Sequence, residues 1–392
     1  MMRNILVTGI GIISPLGIGS ESLFGDRQVD ISVGGAYDLI PDFDEMDYMD
    51  SKTSKYCQRA EKLALTSSSL ALSDARLDLN TSRNLKMGVA LGSMTSNLRA
   101  AAVFDRLVLR GEASFCDPSL IPSGIMNSLS GIVSIKNGIH GFHVPVAAGE
   151  TSGVQAIQFA LMQLETGRID AVLAGGVEEI CEDLQLTEYV KNCSKRRNNT
   201  GHKNRDRVEG ENAYPLSEAA VVLLLETSGN AALRGTEAYA ECVGFGTSYD
   251  ASDRKTALRA ALRALEQTFC DSSIERLNTD LVFASLNQYQ SEDGVGMEAL
   301  SQFFGRQMPA VTCVKSLLGD SLGASGALQV AAAAIAIKKS TATCQIDYGN
   351  ASIKAVSKQI ACSSTKPIEQ VLVSSFSDDG HMSFLLLRKP NG

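Results

Sequence analysis

The sequence predicts a layered α/β fold, on three observations. Apolar runs of strand length alternate with stretches of helical spacing along the whole chain. The short runs are continuously apolar, as strands covered on both faces are. An elbow-like strand-turn-helix occurs once in each half, as VAAGETSGVQAI and as VKSLLGDSLGASGALQV. A chain of 392 residues, 44% hydrophobic and 20% charged, is long enough for one large core or two fused ones.

Taken in order, residues 4–7 read as a buried strand ended at Gly9. The glycines that follow in VTGIGIISPLGIG imitate a dinucleotide fingerprint, but the third glycine has the wrong spacing and 12–15 is extended and ended by proline, so a tight strand-to-helix loop is expected instead. Helices are predicted over 58–75 and 98–109. The run HVPVA then enters the first elbow, and a helix over 151–165 follows. That helix sets Val154, Ile157, Leu161 and Leu164 on one face and the small residues Gly153, Ala156 and Ala160 on another, the pattern of close packing. Strands at 170–174 and 219–225 complete the first half. The second half continues with a helix at 254–268, a strand at 281–284 and helices at 298–304 and 324–338, then strands at 371–374 and 383–387. The segment ALQVAAAAIAI has no polar face, so its helix is expected to be buried on all sides. The halves divide at 1–244 and 245–392, with no Pro/Gly-rich linker between them, and are expected to form one rigid body.

Composition excludes several classes of function. A formal charge of −8 argues against broad binding to nucleic acid or to anionic membranes. None of the nine cysteines lies in a CxxC pair, so no zinc or redox motif is present, no metal is expected, and reduced thiols in a cytoplasm are expected. No apolar run approaches the length that spans a bilayer. The four histidines are His140, His143, His202 and His381, so the core of the second half supplies no imidazole before His381.

The first elbow has Ala148, Gly149 and Glu150 at its apex, where a thiolate would be stabilised by the positive end of the next helix. Gly149 offers no nucleophile. Glu150 reads either as a base or as a carboxylate stabilising the helix start, and Thr151 and Ser152 would need an activating base.

These segments, in this order, resemble the β-ketoacyl synthases of the thiolase-like superfamily over essentially the full length. VTGIGIISPLG opens the chain and AGETSG stands for the ACxTS elbow. DAVLAGGVEE, LSEAAVVLLLE, VKSLLGDSLGASGAL and SSFSDDGH match the later motifs of that family. The resemblance implies a five-layer α/β/α/β/α fold made of two similar halves. It also implies that the condensing residues, a cysteine and two histidines, are absent. Gly149 stands at the cysteine position. The first histidine position is Ser285 when counted from Asp280 and Asn287 when counted back from Glu298. Asp320 replaces the second histidine, Lys315 is retained, and Ser377 and Asp378 replace the glycine and phenylalanine of the gating loop.

Claisen condensation needs a thiolate to carry the acyl chain and donors to stabilise an enolate, and an anionic Asp320 would repel that enolate. The resemblance is therefore to the chain-length factor, the non-catalytic partner of an active ketosynthase in type II polyketide synthases. Its members often carry glutamine where this chain has Gly149. The expected partners are that ketosynthase and an acyl carrier protein, whose phosphopantetheine serves the complex while no cofactor binds this chain directly. The strand His143, Val144, Pro145, Val146 and Ala147 is expected at the subunit interface. Ala101, Phe104 and Val108 either line the product tunnel or pack in the core. Lys195, Arg196, Arg197, Lys203, Arg205 and Arg207 form either a docking site for the carrier protein or a solvated loop. Lys315 and Asp320 are expected to pair across the lost site, or else to stand solvated near a helix start. Two alternatives remain: a synthase using unusual residues such as Glu150 with Asn287, and a structural paralogue that only stabilises its partner.

Overall fold

The polypeptide alternates between two faces of a sheet so regularly that its cores can be assigned residue by residue. The computed structural model describes residues 4–24, 39–40, 44–82, 85–184, 187, 214–270, 275–286, 292–341 and 367–390. Its strands are β1 (Ile5–Ser14), β2 (Gly17–Ile18), β3 (Met87–Gly92), β4 (His143–Val146), β5 (Ala171–Glu178), β6 (Ala219–Thr227), β7 (Ala240–Tyr249), β8 (Leu281–Ala284), β9 (Ala310–Thr312), β10 (Gln370–Phe376) and β11 (His381–Arg388). Their order is β4-β3-β5-β6-β1-β7-β11-β10-β8-β9, with the short β2 paired to β1.

Read inward from either edge, the pairing is the same: two parallel contacts, then two antiparallel ones. The halves meet where β1 pairs antiparallel with β7, Ile5 opposite Cys242 and Val7 opposite Ala240. The division at 244/245 runs through β7, which is the counterpart of β1.

Five layers follow from the alternation of side chains along each strand. On β6, Val221, Leu223 and Leu225 face one core while Ala220, Val222 and Leu224 face another. On β10 and β11, Val371, Val373, Leu385 and Leu387 join the same central core, and Leu372, Phe384 and Leu386 a third. The central core is filled by the helices Ser152–Glu165 and Ser325–Lys339. The outer layers hold Arg59–Asp74 and Ser128–Asn137 on one side, and Arg254–Cys270 and Glu292–Phe304 on the other. Ser325–Lys339 is buried from Ser325 through Ile337, as its unbroken apolar composition requires. No described helix is long and apolar enough to cross a membrane.

Two readings of the opening segment are corrected. The first strand does not end at Gly9, and Gly9 and Gly11 lie not in a strand-to-helix loop but inside β1, which runs on to Ser14 past a register shift at Val7/Gly9. Glycine is required there by close approach of a helix. A Cβ on Gly11 would stand 1.9 Å from the Ser67 carbonyl oxygen, and one on Gly9 2.2 Å from that of Ala71. Strands β3 and β7 escape the sequence reading because glycine and polar residues dilute their apolar runs, and β2 and β9 because they are only two and three residues long. The helix Glu292–Phe304 begins one to two turns earlier than its apolar pattern suggests.

Gly11→Ala is expected to destabilise the fold by about 1–3 kcal/mol through overpacking. The measurement is a lowered urea midpoint at unchanged m-value.

Candidate functional site

Both elbows converge on one buried ammonium. The first follows β4: Gly149 sits at φ +55°, a left-handed conformation, and its backbone turns the chain into Ser152–Glu165. Thr151 Oγ1 donates to the Ala148 carbonyl at 2.6 Å, Ser152 Oγ donates to the Gly149 carbonyl at 2.6 Å, and the Ala148 N–H donates to Ser152 Oγ at 2.9 Å. Both hydroxyls are therefore spent on shaping the turn. The second elbow follows β9, through the turn Lys315–Leu318, and carries Asp320 to the start of Ser325–Lys339.

Lys315, 1% exposed, holds its Nζ 2.9 Å from Asp320 Oδ1 and 3.0 Å from Glu150 Oε2. The pairing of Lys315 with Asp320 is thus present, and Glu150, read from sequence as a base or helix-end carboxylate, is a second partner. Asp320 Oδ1 also accepts from the Leu322 N–H at 3.0 Å and from Ser325 Oγ at 3.1 Å, so it caps the entry to the buried helix as well.

Burial opposes the charge on Lys315, but the attraction of Asp320 and then of Glu150, with hydrogen bonds to both, outweighs it and drives the ammonium pKa up. Burial raises the Glu150 carboxyl; Lys315 pulls it back, Asp320 and Asp378 push it up again, and it settles at about 7. One cation between two carboxylates leaves an excess negative charge whenever both acids ionise.

The gating loop closes over the elbow. A Cβ at residue 149 would lie 2.1 Å from Ser377 Oγ and 2.9 Å from Asp379 Oδ2, and the Glu150 N–H donates to Ser377 Oγ at 3.1 Å. Ser377 thus fills the space that a side chain at 149 would need. Ser285 is buried and donates its N–H to the Ser374 carbonyl at 3.0 Å. With Ser377 and Asp378 it lines a cavity of about 370 Å³ whose wall also carries Asp250, Asp253 and Arg254. Arg254 is engaged by Glu298 at 2.8 Å. Among the described residues that line it, Arg254 is the one cation against three carboxylates, so the cavity does not fit a phosphate-bearing arm. Asn287 lies outside the described residues, as do Lys195, Arg196, Arg197, Lys203, Arg205 and Arg207.

Ala101, Phe104 and Val108 lie on the helix Leu98–Leu109, where Ala100 is the buried residue and Val108 is 45% exposed, so the core-packing reading of these three is not what the fold shows. His143, Val144, Pro145, Val146 and Ala147 lie on or beside β4, the edge strand next to β3.

One buried carboxylate beside the site escaped the sequence reading. Glu178, fully buried at the end of β5, accepts from Ser93 Oγ (3.1 Å), the N–H groups of Met94 (2.8 Å) and Thr95 (2.9 Å), Thr95 Oγ1 and the Gly323 N–H (3.0 Å). Burial raises its pKa against these hydrogen bonds. It ties the loop after β3 to the turn beside Asp320. Its sequence signal was an acid closing an otherwise apolar strand.

Three outcomes follow from this geometry. Gly149→Cys is expected to lose about 1–3 kcal/mol of stability from the left-handed backbone and to leave its thiol slow to alkylate. In Gly149→Cys/Ser377→Gly the thiol should alkylate faster, which iodoacetamide labelling measures. The folded protein holds the Glu150 proton up to about pH 7, whereas the ordinary carboxyl value is 4.5, so stability falls as pH rises through that window. Glu150→Gln should flatten this part of the profile of melting temperature against pH. Lys315→Met should destabilise by about 3–5 kcal/mol at alkaline pH, and by less once Glu150 is protonated.

Two family models match the chain: Beta-ketoacyl synthase, N-terminal domain, over residues 25–231, and Beta-ketoacyl synthase, C-terminal domain, over residues 239–348. Among curated relatives, a 3-oxoacyl-[acyl-carrier-protein] synthase 2 of Coxiella burnetii is 26% identical over 369 residues, covering 89% of each chain. A putative polyketide beta-ketoacyl synthase 1 of Streptomyces halstedii is 25% identical over 366 residues, covering 86% of each. The ishigamide ketosynthase/chain length factor superposes with a TM-score of 0.82 at 20% identity over 100% of both chains. A type II polyketide synthase ketosynthase, solved with its acyl-carrier protein and bound to the hexaketide, superposes at 0.81 and 18% identity, again over 100% of both. These likenesses establish a thiolase-like ketosynthase fold, and with the two domain models spanning most of its length the chain belongs to the β-ketoacyl synthase family.

Proposed function

We propose that this chain is the catalytically silent, chain-length-setting subunit of a condensing heterodimer whose chemistry resides in an active ketosynthase partner. The observation that carries the reading is the occupied centre. Lys315 is locked between Glu150 and Asp320, and Ser377 covers Gly149, where the family has a cysteine and a histidine. No thiolate stands there to accept an acyl group, and excess negative charge opposes an enolate. The acidic cavity beside Ser285 and Asp378 supports the same assignment, since it disfavours the phosphate of a carrier-bound pantetheine arm and leaves that arm to the partner's site.

In this reading β4 meets the ketosynthase, and the helix Leu98–Leu109 contributes Ala101, Phe104 and Val108 to a tunnel completed by the partner. The half-exposed state of these side chains in the single chain supports that role. The run from Lys195 to Arg207 docks the acidic carrier protein, the site of action is the cytoplasm, and residues 1–244 and 245–392 act as one body.

A second reading has one observation in its favour. Glu150, with a pKa near 7, has the value of a general base, which would make the chain a synthase with unusual residues. Its engagement by Lys315 weighs against this.

Co-expression with an active ketosynthase and a carrier protein tests the proposal. Intact-mass analysis should find acyl groups on the partner and none on this chain, and Phe104→Trp should shorten the product. An acyl adduct on this chain would establish the second reading. Product length unmoved by Phe104→Trp would leave a purely stabilising paralogue.

A further inference from the structure

We propose that Pro145 makes the open edge of β4 select an unlike chain over a second copy of this one. The inference rests on the reading that β4 lies at the subunit interface, and it specifies which partner that edge accepts.

The Val89 N–H donates to the Phe142 carbonyl at 2.8 Å, and the Ser93 N–H donates to the Val146 carbonyl at 3.1 Å. With Val89 opposite His143 and Leu91 opposite Pro145, the backbone groups of residues 142, 144 and 146 turn toward β3. Those of 143, 145 and 147 therefore turn to the open edge. That edge presents a carbonyl at each of the three positions but an N–H at His143 and Ala147 alone, because proline has none.

An antiparallel strand laid on this edge can donate to the Pro145 carbonyl but receives nothing in return, so one of its own carbonyls goes unpaired. A second copy of the chain brings a second Pro145, and in every antiparallel register through this residue two donors are missing. An unlike strand with any other residue at the facing position leaves one missing. A carbonyl closed off from water without a donor is penalised, so like pairing carries the penalty twice. Side-chain attraction does not restore the balance. Ile135, 76% exposed on the helix beside β4, offers non-directional apolar surface to either partner equally. Discrimination therefore falls on the backbone, and the occupant of the edge is an antiparallel strand of a different chain with a non-proline residue opposite Pro145.

Sedimentation velocity of the purified full chain, with hydrogen exchange at residues 143 and 147, tests this. Pro145→Val, and Pro145→Ala as a second variant in case the first folds poorly, should self-associate at least about tenfold more tightly than the parent, with amides 143 and 147 protected in the dimer. Val144→Ala, whose backbone groups face β3, should leave self-association unchanged. The proposal is overturned if the parent chain already forms a tight dimer with those amides protected, or if both proline variants associate no better than the parent. A chain that leaves product length unaltered yet dimerises on losing Pro145 would sink the functional reading while upholding this one.

Discussion

A single ammonium in a dry interior imposes the order on which the rest of this molecule depends. Lys315 cannot be left unpaired at 1% exposure, because desolvating an isolated cation is among the largest penalties a fold can carry. It is offset by carboxylates from opposite halves of the chain: Glu150 from the first elbow and Asp320 from the second. The cluster is thus a tie across the middle layer as well as an occupant of its cleft. Two acids on one base give more negative charge than needed, and the rise of the Glu150 carboxyl to about 7 is how the interior returns toward neutrality.

Around this tie stand the two elbows and the loops that brace them. The elbow at Gly149 keeps its left-handed turn and its two hydroxyl braces. Glu178 still gathers its donors from two loops and holds them beside Asp320. At the apex residue 149 carries no side chain, and the Ser377 hydroxyl of the gating loop stands where its Cβ would be.

The outward faces differ in character from this filled centre. Among the described residues, β4 ends the strand order with one edge unpaired, and the helix Leu98–Leu109 exposes Val108 and Leu109. Open edges of this kind need either a partner or a device against wrong pairing. Pro145 belongs to the second class and permits the first.

Much of the fold was legible in the sequence, because burial on both faces leaves a continuous apolar run and burial of a whole helix leaves no polar stripe. The strands at 281–284 and 219–225 and the helix of ALQVAAAAIAI follow from composition alone. That residue 149 is glycine and residue 320 aspartate is likewise read directly from the sequence, since a residue's identity needs no coordinates. Strands β3 and β7 were not legible, as their glycines and polar residues are tolerated by neighbours far away in the chain. Gly11 looks like a loop residue until Ser67 is placed against it. Only tertiary structure decided that Lys315 meets Glu150 as well as Asp320, that Ser377 closes over Gly149, and that Glu178 is a buried organiser. The contacts of Glu178 with Gly323, Lys315 with Glu150 and Ser377 with Glu150 join residues 145, 165 and 227 positions apart, and the chemistry of a carboxylate or hydroxyl depends on what folding brings within hydrogen-bonding distance of it.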